Sequence, residues 1–128
     1  MNLIKYQGTD LYFENISIKK IAEKNVTPFY LYSFKQLESN FDFFYKSFKS
    51  VNPLICFAVK SNTNLFLLKK LKKLGSGADV VSVGELQLAL KAGINAQKIV
   101  FSGVGKTTEE LSYAVSKKIL LINTESEN

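Results

Sequence analysis

Leu54-Ile55-Cys56-Phe57-Ala58-Val59-Lys60-Ser61-Asn62 is an unbroken apolar run that ends in one lysine and two small polar residues. Six apolar residues in a row predict a strand over 54–60 buried on both faces, the pattern of a parallel sheet. Ser61, Asn62 and Thr63 are N-cap candidates for the helix that follows. Lys60 therefore stands where a strand hands over to its crossover, the end at which parallel sheets and βα barrels bind ligands. A lysine there is either a solvated charge or a chemical group, and position alone does not choose.

Towards the C-terminus one unit repeats. A helix over about 63–74 closes at Gly75, and a strand at 78–82 leads to a helix over about 84–92 that closes at Gly93. A strand at 99–102 runs into Gly103-Val104-Gly105-Lys106 and a helix boxed by Thr107 and Glu110, before a fourth strand at 119–123. Strands that recur about every 21 residues between helices predict right-handed crossovers and a parallel sheet. Four βα units fit a small open doubly wound sheet or about half of a βα barrel, since an intact barrel needs about 250 residues.

Towards the N-terminus, residues 3–6 and 10–13 predict two short strands around Gln7-Gly8-Thr9-Asp10. Ser17 caps a short helix carrying Ile18, Ile21 and Ala22. Thr27-Pro28 breaks it, and Phe29-Tyr30-Leu31-Tyr32 reads as a strand. Ser33 and Gln36 form a capping-box pattern for a helix whose Phe34, Leu37, Phe41, Phe44 and Phe48 recur at spacings of three and four. That stripe is expected to be core.

Composition narrows the function classes. The chain has 128 residues and 46% hydrophobic content, which suits a globular core. No apolar run approaches the length of a membrane span, the first residues lack a signal-peptide stretch, and the lone Cys56 has no disulfide partner. These features predict a cytoplasmic protein. The net charge of +6 comes with lysine as the only basic residue type. Without arginine, bidentate recognition of bases or phosphates is missing, so no nucleic-acid partner is expected. Lys69, Lys70, Lys72 and Lys73 read as the solvated face of a helix whose other face is Leu67, Leu68, Leu71 and Leu74. With no histidine and one cysteine, no metal site is expected.

Two glycine motifs fail on inspection. A P-loop ending at Gly105-Lys106-Thr107 would need its first glycine at Val100, inside a strand. Gly75-Ser76-Gly77 precedes a strand, whereas a dinucleotide fingerprint follows one. Lys60 remains: a lysine desolvated at a strand end loses its proton more easily and can attack a carbonyl to form an imine. Asp79 and Glu85 are the carboxylates nearest the end of the adjacent strand and the start of its helix. Equally, they are a strand-edge charge and a first-turn charge favoured by the helix dipole.

The chain resembles a known family from about Thr27 to Glu127. The resemblance rests on Thr27-Pro28-Phe29-Tyr30-Leu31-Tyr32, on Phe57-Ala58-Val59-Lys60-Ser61-Asn62, on Gly75 through Leu86, and on Ile99 through Thr107. These blocks are similar to the fold-type III pyridoxal-phosphate decarboxylases, and among them to the diaminopimelate decarboxylases. The Ser102–Thr107 block separates these from ornithine and arginine decarboxylase relatives. The resemblance implies an alanine-racemase-like (β/α)8 barrel of which residues 34–128 are the first part. Residues 1–33 would join a β-domain. It implies that Lys60 carries pyridoxal 5′-phosphate as an imine, with Asp79 and Glu85 on the cofactor's side of the pocket, in an enzyme converting meso-diaminopimelate to L-lysine. The complete enzyme would be a homodimer.

Several of the family's groups have no counterpart here: the histidine stacked on the cofactor ring, the glycine-rich phosphate loop, the acid at the ring nitrogen and the arginine for substrate carboxylate. The catalytic cysteine is also missing, because Cys56 precedes Lys60 within the strand. The chain is thus expected to be an N-terminal part, inactive alone. Another fold-type III decarboxylase or racemase-like enzyme, or a silent truncated protein that binds pyridoxal phosphate, is the alternative.

Overall fold

A computed structural model describes residues 3–126. The chain divides into two units, Met1–Ser33 and Phe34–Asn128. In the first, β1 (Ile4–Gln7) and β2 (Asp10–Phe13) form an antiparallel hairpin about Gly8. A third strand, β3 (Ile16–Ser17), adds to β2 and was not foreseen, because two residues are too few to show a period. Helix α1 (Ile18–Ala22) starts as predicted, with the Ser17 hydroxyl accepting the Lys20 N–H at 3.4 Å. Phe29–Tyr32 is not a strand. A strand exists only as a ladder, and no described segment pairs with this one.

The second unit opens with α2 (Phe34–Ser47). Phe34, Leu37 and Phe41 of its aromatic stripe pack against the core, and Phe34 meets Phe66 with ring centroids 5.5 Å apart. The rest of the stripe departs from expectation: Phe44 and Phe48 are 52% and 47% exposed. Spacing of three and four aligns side chains on one face but does not guarantee a neighbour along its full length.

Four strands follow at the predicted interval: β4 (Cys56–Ala58), β5 (Gly77–Val80), β6 (Ile99–Phe101) and β7 (Leu121–Ile122). They pair in sequence order, all parallel. Between them lie α3 (Leu65–Lys73), α4 (Val83–Lys91) and α5 (Thr108–Ser116). Gly75 and Gly93 end α3 and α4 at φ +89° and +87°, conformations that favour glycine. Thr107 and Glu110 form the predicted capping box.

Two corrections concern strand length. The run at 54–60 yields only three strand residues, since Val59–Ser61 turns as a 3-10 helix. Nor is it buried on both faces, because β4 is a flank of the sheet and Cys56, Phe57 and Ala58 are half-buried. The strand at 119–123 contracts to Leu121–Ile122 for the same reason of position. In addition, α3 is capped by Asn64, whose Oδ1 accepts the Phe66 N–H at 2.9 Å, rather than by residues 61–63.

The core lies on one side of this sheet. Ala78, Val80, Ile99 and Phe101 are fully buried together with Leu68, Leu86, Ala89 and Ala114 from the three helices. Alternation along the strands and the register then put Cys56, Ala58, Gly77, Asp79, Val100 and Leu121 on the opposite face. Helices gathered on one face of a parallel sheet are the arrangement of a barrel, whereas a doubly wound sheet carries them on both. The choice left open by periodicity falls to the barrel.

Candidate active site

Lys60 projects from the turn just beyond β4. Fully buried Val59 roots that turn in the core; the Ser61 hydroxyl donates to Ala58 O at 2.7 Å, and the Asn62 N–H donates to Val59 O at 3.0 Å. The lysine between these anchors is exposed. Asp79 lies one strand over, as the Cα partner of Ala58, two residues before Lys60. Its Oδ1 is buried and has no hydrogen-bond partner among the described residues. A carboxylate oxygen removed from water without a donor costs about 1–3 kcal/mol or more, so Asp79 is set to receive one.

Glu85 is committed to the backbone. Its Oε2 accepts the Val81 N–H at 2.9 Å, and its own N–H donates to Ser82 Oγ at 3.3 Å. It thereby locks the turn between β5 and α4, at the same end of the sheet as Lys60. Cys56 shares Asp79's face, and its thiol is pushed up by burial and then by the Asp79 charge, with Lys98 opposing. This thiol donates weakly to Lys98 O at 3.7 Å.

Two further arrangements at this end left no mark in the sequence. Lys106, whose side chain is 7% exposed, is held by both oxygens of Glu125 at 3.1 and 3.0 Å and lies over the Phe101 ring. Its ammonium is thus engaged. The Asn123 amide donates to Ser102 Oγ at 2.9 Å, tying the ends of β6 and β7 together. Both are pairings at long sequence separation, to which local patterns are blind. A cavity of about 520 Å³ opens elsewhere, lined by Asp42, Asn52, Gly75 and Lys98, which lie before the strands rather than after them. It is remote from Lys60 along the strand direction.

Residues 34–128 match the family model described as pyridoxal-dependent decarboxylase, pyridoxal binding domain. The chain belongs to the pyridoxal-dependent decarboxylases. Within the family it is 46% identical over 123 residues to a diaminopimelate decarboxylase of Aquifex aeolicus, covering 96% of this chain and 29% of that one. It is 53% identical over 100 residues to the diaminopimelate decarboxylase of Helicobacter pylori J99, covering 78% and 25%. The crystal structure of the M. jannaschii diaminopimelate decarboxylase, a co-complex with L-lysine, superposes with a TM-score of 0.92 at 32% identity over 98% of this chain and 30% of that one. The chain thus spans under a third of the length of these decarboxylases, and the barrel reading agrees with the match.

For a pyridoxal-dependent decarboxylase the cofactor is pyridoxal 5′-phosphate, and the residues at the strand ends fit its aldehyde end. Lys60 offers an exposed primary amine, and the orphaned Asp79 oxygen offers an acceptor on the adjacent strand. No described group of three or more metal-ligating side chains is present, and no described helix is long and apolar enough to cross a membrane.

Proposed function

We propose that this chain is the cofactor-anchoring part of an enzyme that decarboxylates meso-diaminopimelate to L-lysine. One observation carries the reading. An exposed amine, Lys60, stands at a strand end one strand away from a buried carboxylate oxygen that lacks a donor, within a pyridoxal-binding domain. Bound there, pyridoxal phosphate supplies a ring that accepts the electrons left behind as carbon dioxide departs.

The protein's own groups do the rest. Lys60 Nζ would hold the cofactor covalently, and once the substrate amine had displaced it, its exposed, turn-mounted side chain would be free to deliver a proton to the substrate's α-carbon. Asp79 Oδ1, which lacks a donor, would accept a hydrogen bond from the cofactor or from the freed lysine. Glu85, pinned to Val81, keeps a negative charge fixed at the start of α4 on the same side. The meso-diaminopimelate assignment over ornithine or arginine is supported by the Ser102–Thr107 block and by the names of the relatives. Residues 1–33 are assigned to a β-domain and 34–128 to the first part of the barrel, in a cytoplasmic homodimer.

With no histidine and no arginine, the 128 residues hold no ring-stacking imidazole and no guanidinium for substrate carboxylate. This segment alone does not turn over. The test is borohydride reduction of the complete protein with pyridoxal phosphate, peptide mapping of the label, and carbon dioxide release from meso-diaminopimelate. Label on a peptide without Lys60 overturns the anchor. Release from ornithine or arginine but not from meso-diaminopimelate overturns the substrate.

A further inference from the structure

We infer that Ser102, oriented by Asn123, hydrogen-bonds the phenolate oxygen of pyridoxal phosphate held at Lys60. The sheet register carries the inference. Ala58, Asp79, Val100 and Leu121 are successive Cα partners across the four strands. Two residues further along the chain in each case stand Lys60, Val81, Ser102 and Asn123. The ladder still holds between the last three, since the Ser102 N–H donates to Val80 O at 2.8 Å and the Asn123 N–H donates to Phe101 O at 2.9 Å. Ser102 therefore stands in the same row as Lys60, two strands away, about 10 Å across the sheet. A lysine side chain and a pyridine ring together span that gap.

Side-chain direction follows from the same alternation. Ile99 and Phe101 are buried among the helices, so Val100 and Ser102 face the other way; Ile122 packs against the core, so Leu121 and Asn123 do too. The 2.9 Å bond from the Asn123 amide to Ser102 Oγ agrees with a shared face. On that face three strands turn from apolar to polar in one step: Ala58 to Lys60, Val100 to Ser102 and Leu121 to Asn123. β6 lies between β5 and β7, so both sheet neighbours of Ser102 belong to this chain. The Val81 side chain offers no acceptor, and Asn123 donates to the serine oxygen. A hydroxyl whose oxygen accepts still has its own proton to donate. With both flanks taken, that proton is left to point into the mouth where Lys60 stands. One hydroxyl suits a single phenolate oxygen. A phosphate dianion calls for several N–H donors or a cation, and the lysine of this loop, Lys106, is engaged by Glu125.

The inference rests on Lys60 as the cofactor anchor, and the test separates the two. A phenolate oxygen stabilises the proton on the neighbouring imine nitrogen, and a donor to that oxygen weakens the effect. In the complete protein loaded with pyridoxal phosphate, Ser102→Ala should therefore raise the pH midpoint of the imine absorbance by about one pH unit. Ser102→Thr keeps the hydroxyl and should restore the original midpoint. Asn123→Ala keeps the hydroxyl but releases it, so the midpoint should rise by less; it also reads the effect if Ser102→Ala does not fold. A serine that only ties β6 to β7 would lower the melting temperature of the cofactor-free protein in Ser102→Ala and leave the midpoint where it was. That result overturns the inference, as does a midpoint that rises equally in Ser102→Thr. Borohydride label on a peptide without Lys60 overturns the anchor and the inference together, whereas label on Lys60 with an unmoved midpoint overturns the inference alone.

Discussion

Glu110 reaches from the start of α5 to accept the backbone N–H of Val83, the first residue of α4, at 2.9 Å. Its other oxygen accepts the Thr107 N–H at 3.1 Å. One carboxylate therefore caps its own helix and ties two βα units together at the end where Lys60 lies. These two backbone donors, Val83 first, hold its carboxyl below the usual range.

A carboxyl with a lowered folded pKa contributes stability above its unfolded pKa and loses it as pH falls through the folded value. Glu110→Gln should therefore lower the melting temperature at pH 7, with a smaller deficit at about pH 3, where more of the wild-type carboxyl is protonated. Thermal unfolding of both proteins at the two pH values checks this. An equal deficit at both would mean that the charge is not what stabilises the junction.

Gly103 packs against the neighbouring strand so tightly that a Cβ there would meet Val81 O at 2.4 Å. Backbone cannot yield as a flexible side chain can, so Gly103→Ala should cost about 1–3 kcal/mol, the range of overpacking. Urea unfolding measures it. Gly105→Ala, two residues on and with nothing within 4 Å of its Cβ, is the control and should be nearly silent.

Burial is the larger cause that raises the Cys56 thiol, and the Asp79 charge is the second. Asp79→Asn removes only the second. The thiol pKa should fall, more thiolate should be present at pH 8, and alkylation should quicken by less than about tenfold. Iodoacetamide kinetics on the two proteins decide it. A slower rate in the variant contradicts the sign.

Lys60 and Lys106 should differ sharply towards pyridoxal phosphate. Lys60 is exposed, whereas the Lys106 side chain is largely covered and ion-paired. Borohydride trapping at low cofactor concentration should label the Lys60 peptide in preference to that of Lys106, and Lys60→Ala should remove that label. Mass spectrometry of the digest reads both. Comparable labelling of Lys106 would count against the geometry described for it.

What was legible in the sequence were features with local signatures. The βα order, the glycine stops at Gly75 and Gly93 and the Thr107–Glu110 box rest on residues within a turn of each other. The apolar run 54–60 misled on strand length, because hydrophobicity marks what is buried and not where the ladder stops. Val59 is fully buried, yet it sits in a 3-10 turn. Similarly, Phe44 and Phe48 keep the stripe's period but pack on each other, ring centroids 4.9 Å apart, instead of joining the core. The site was half visible. Lys60 was located by its place at a strand end, while the unpartnered Asp79 oxygen and the Lys106–Glu125 pair depend on strand register and distant segments.

In the barrel unit each strand pairs with the one synthesised immediately before it, about 21 residues earlier. At translation rates of about 5–20 residues per second, successive units leave the ribosome about 1–4 s apart. Helix formation takes about a microsecond or less and hairpin-scale pairing only microseconds, so each unit has time to dock before the next appears. The sheet can thus grow by addition at a single advancing edge, and the polypeptide need not wait for its end before Lys60 is held in position.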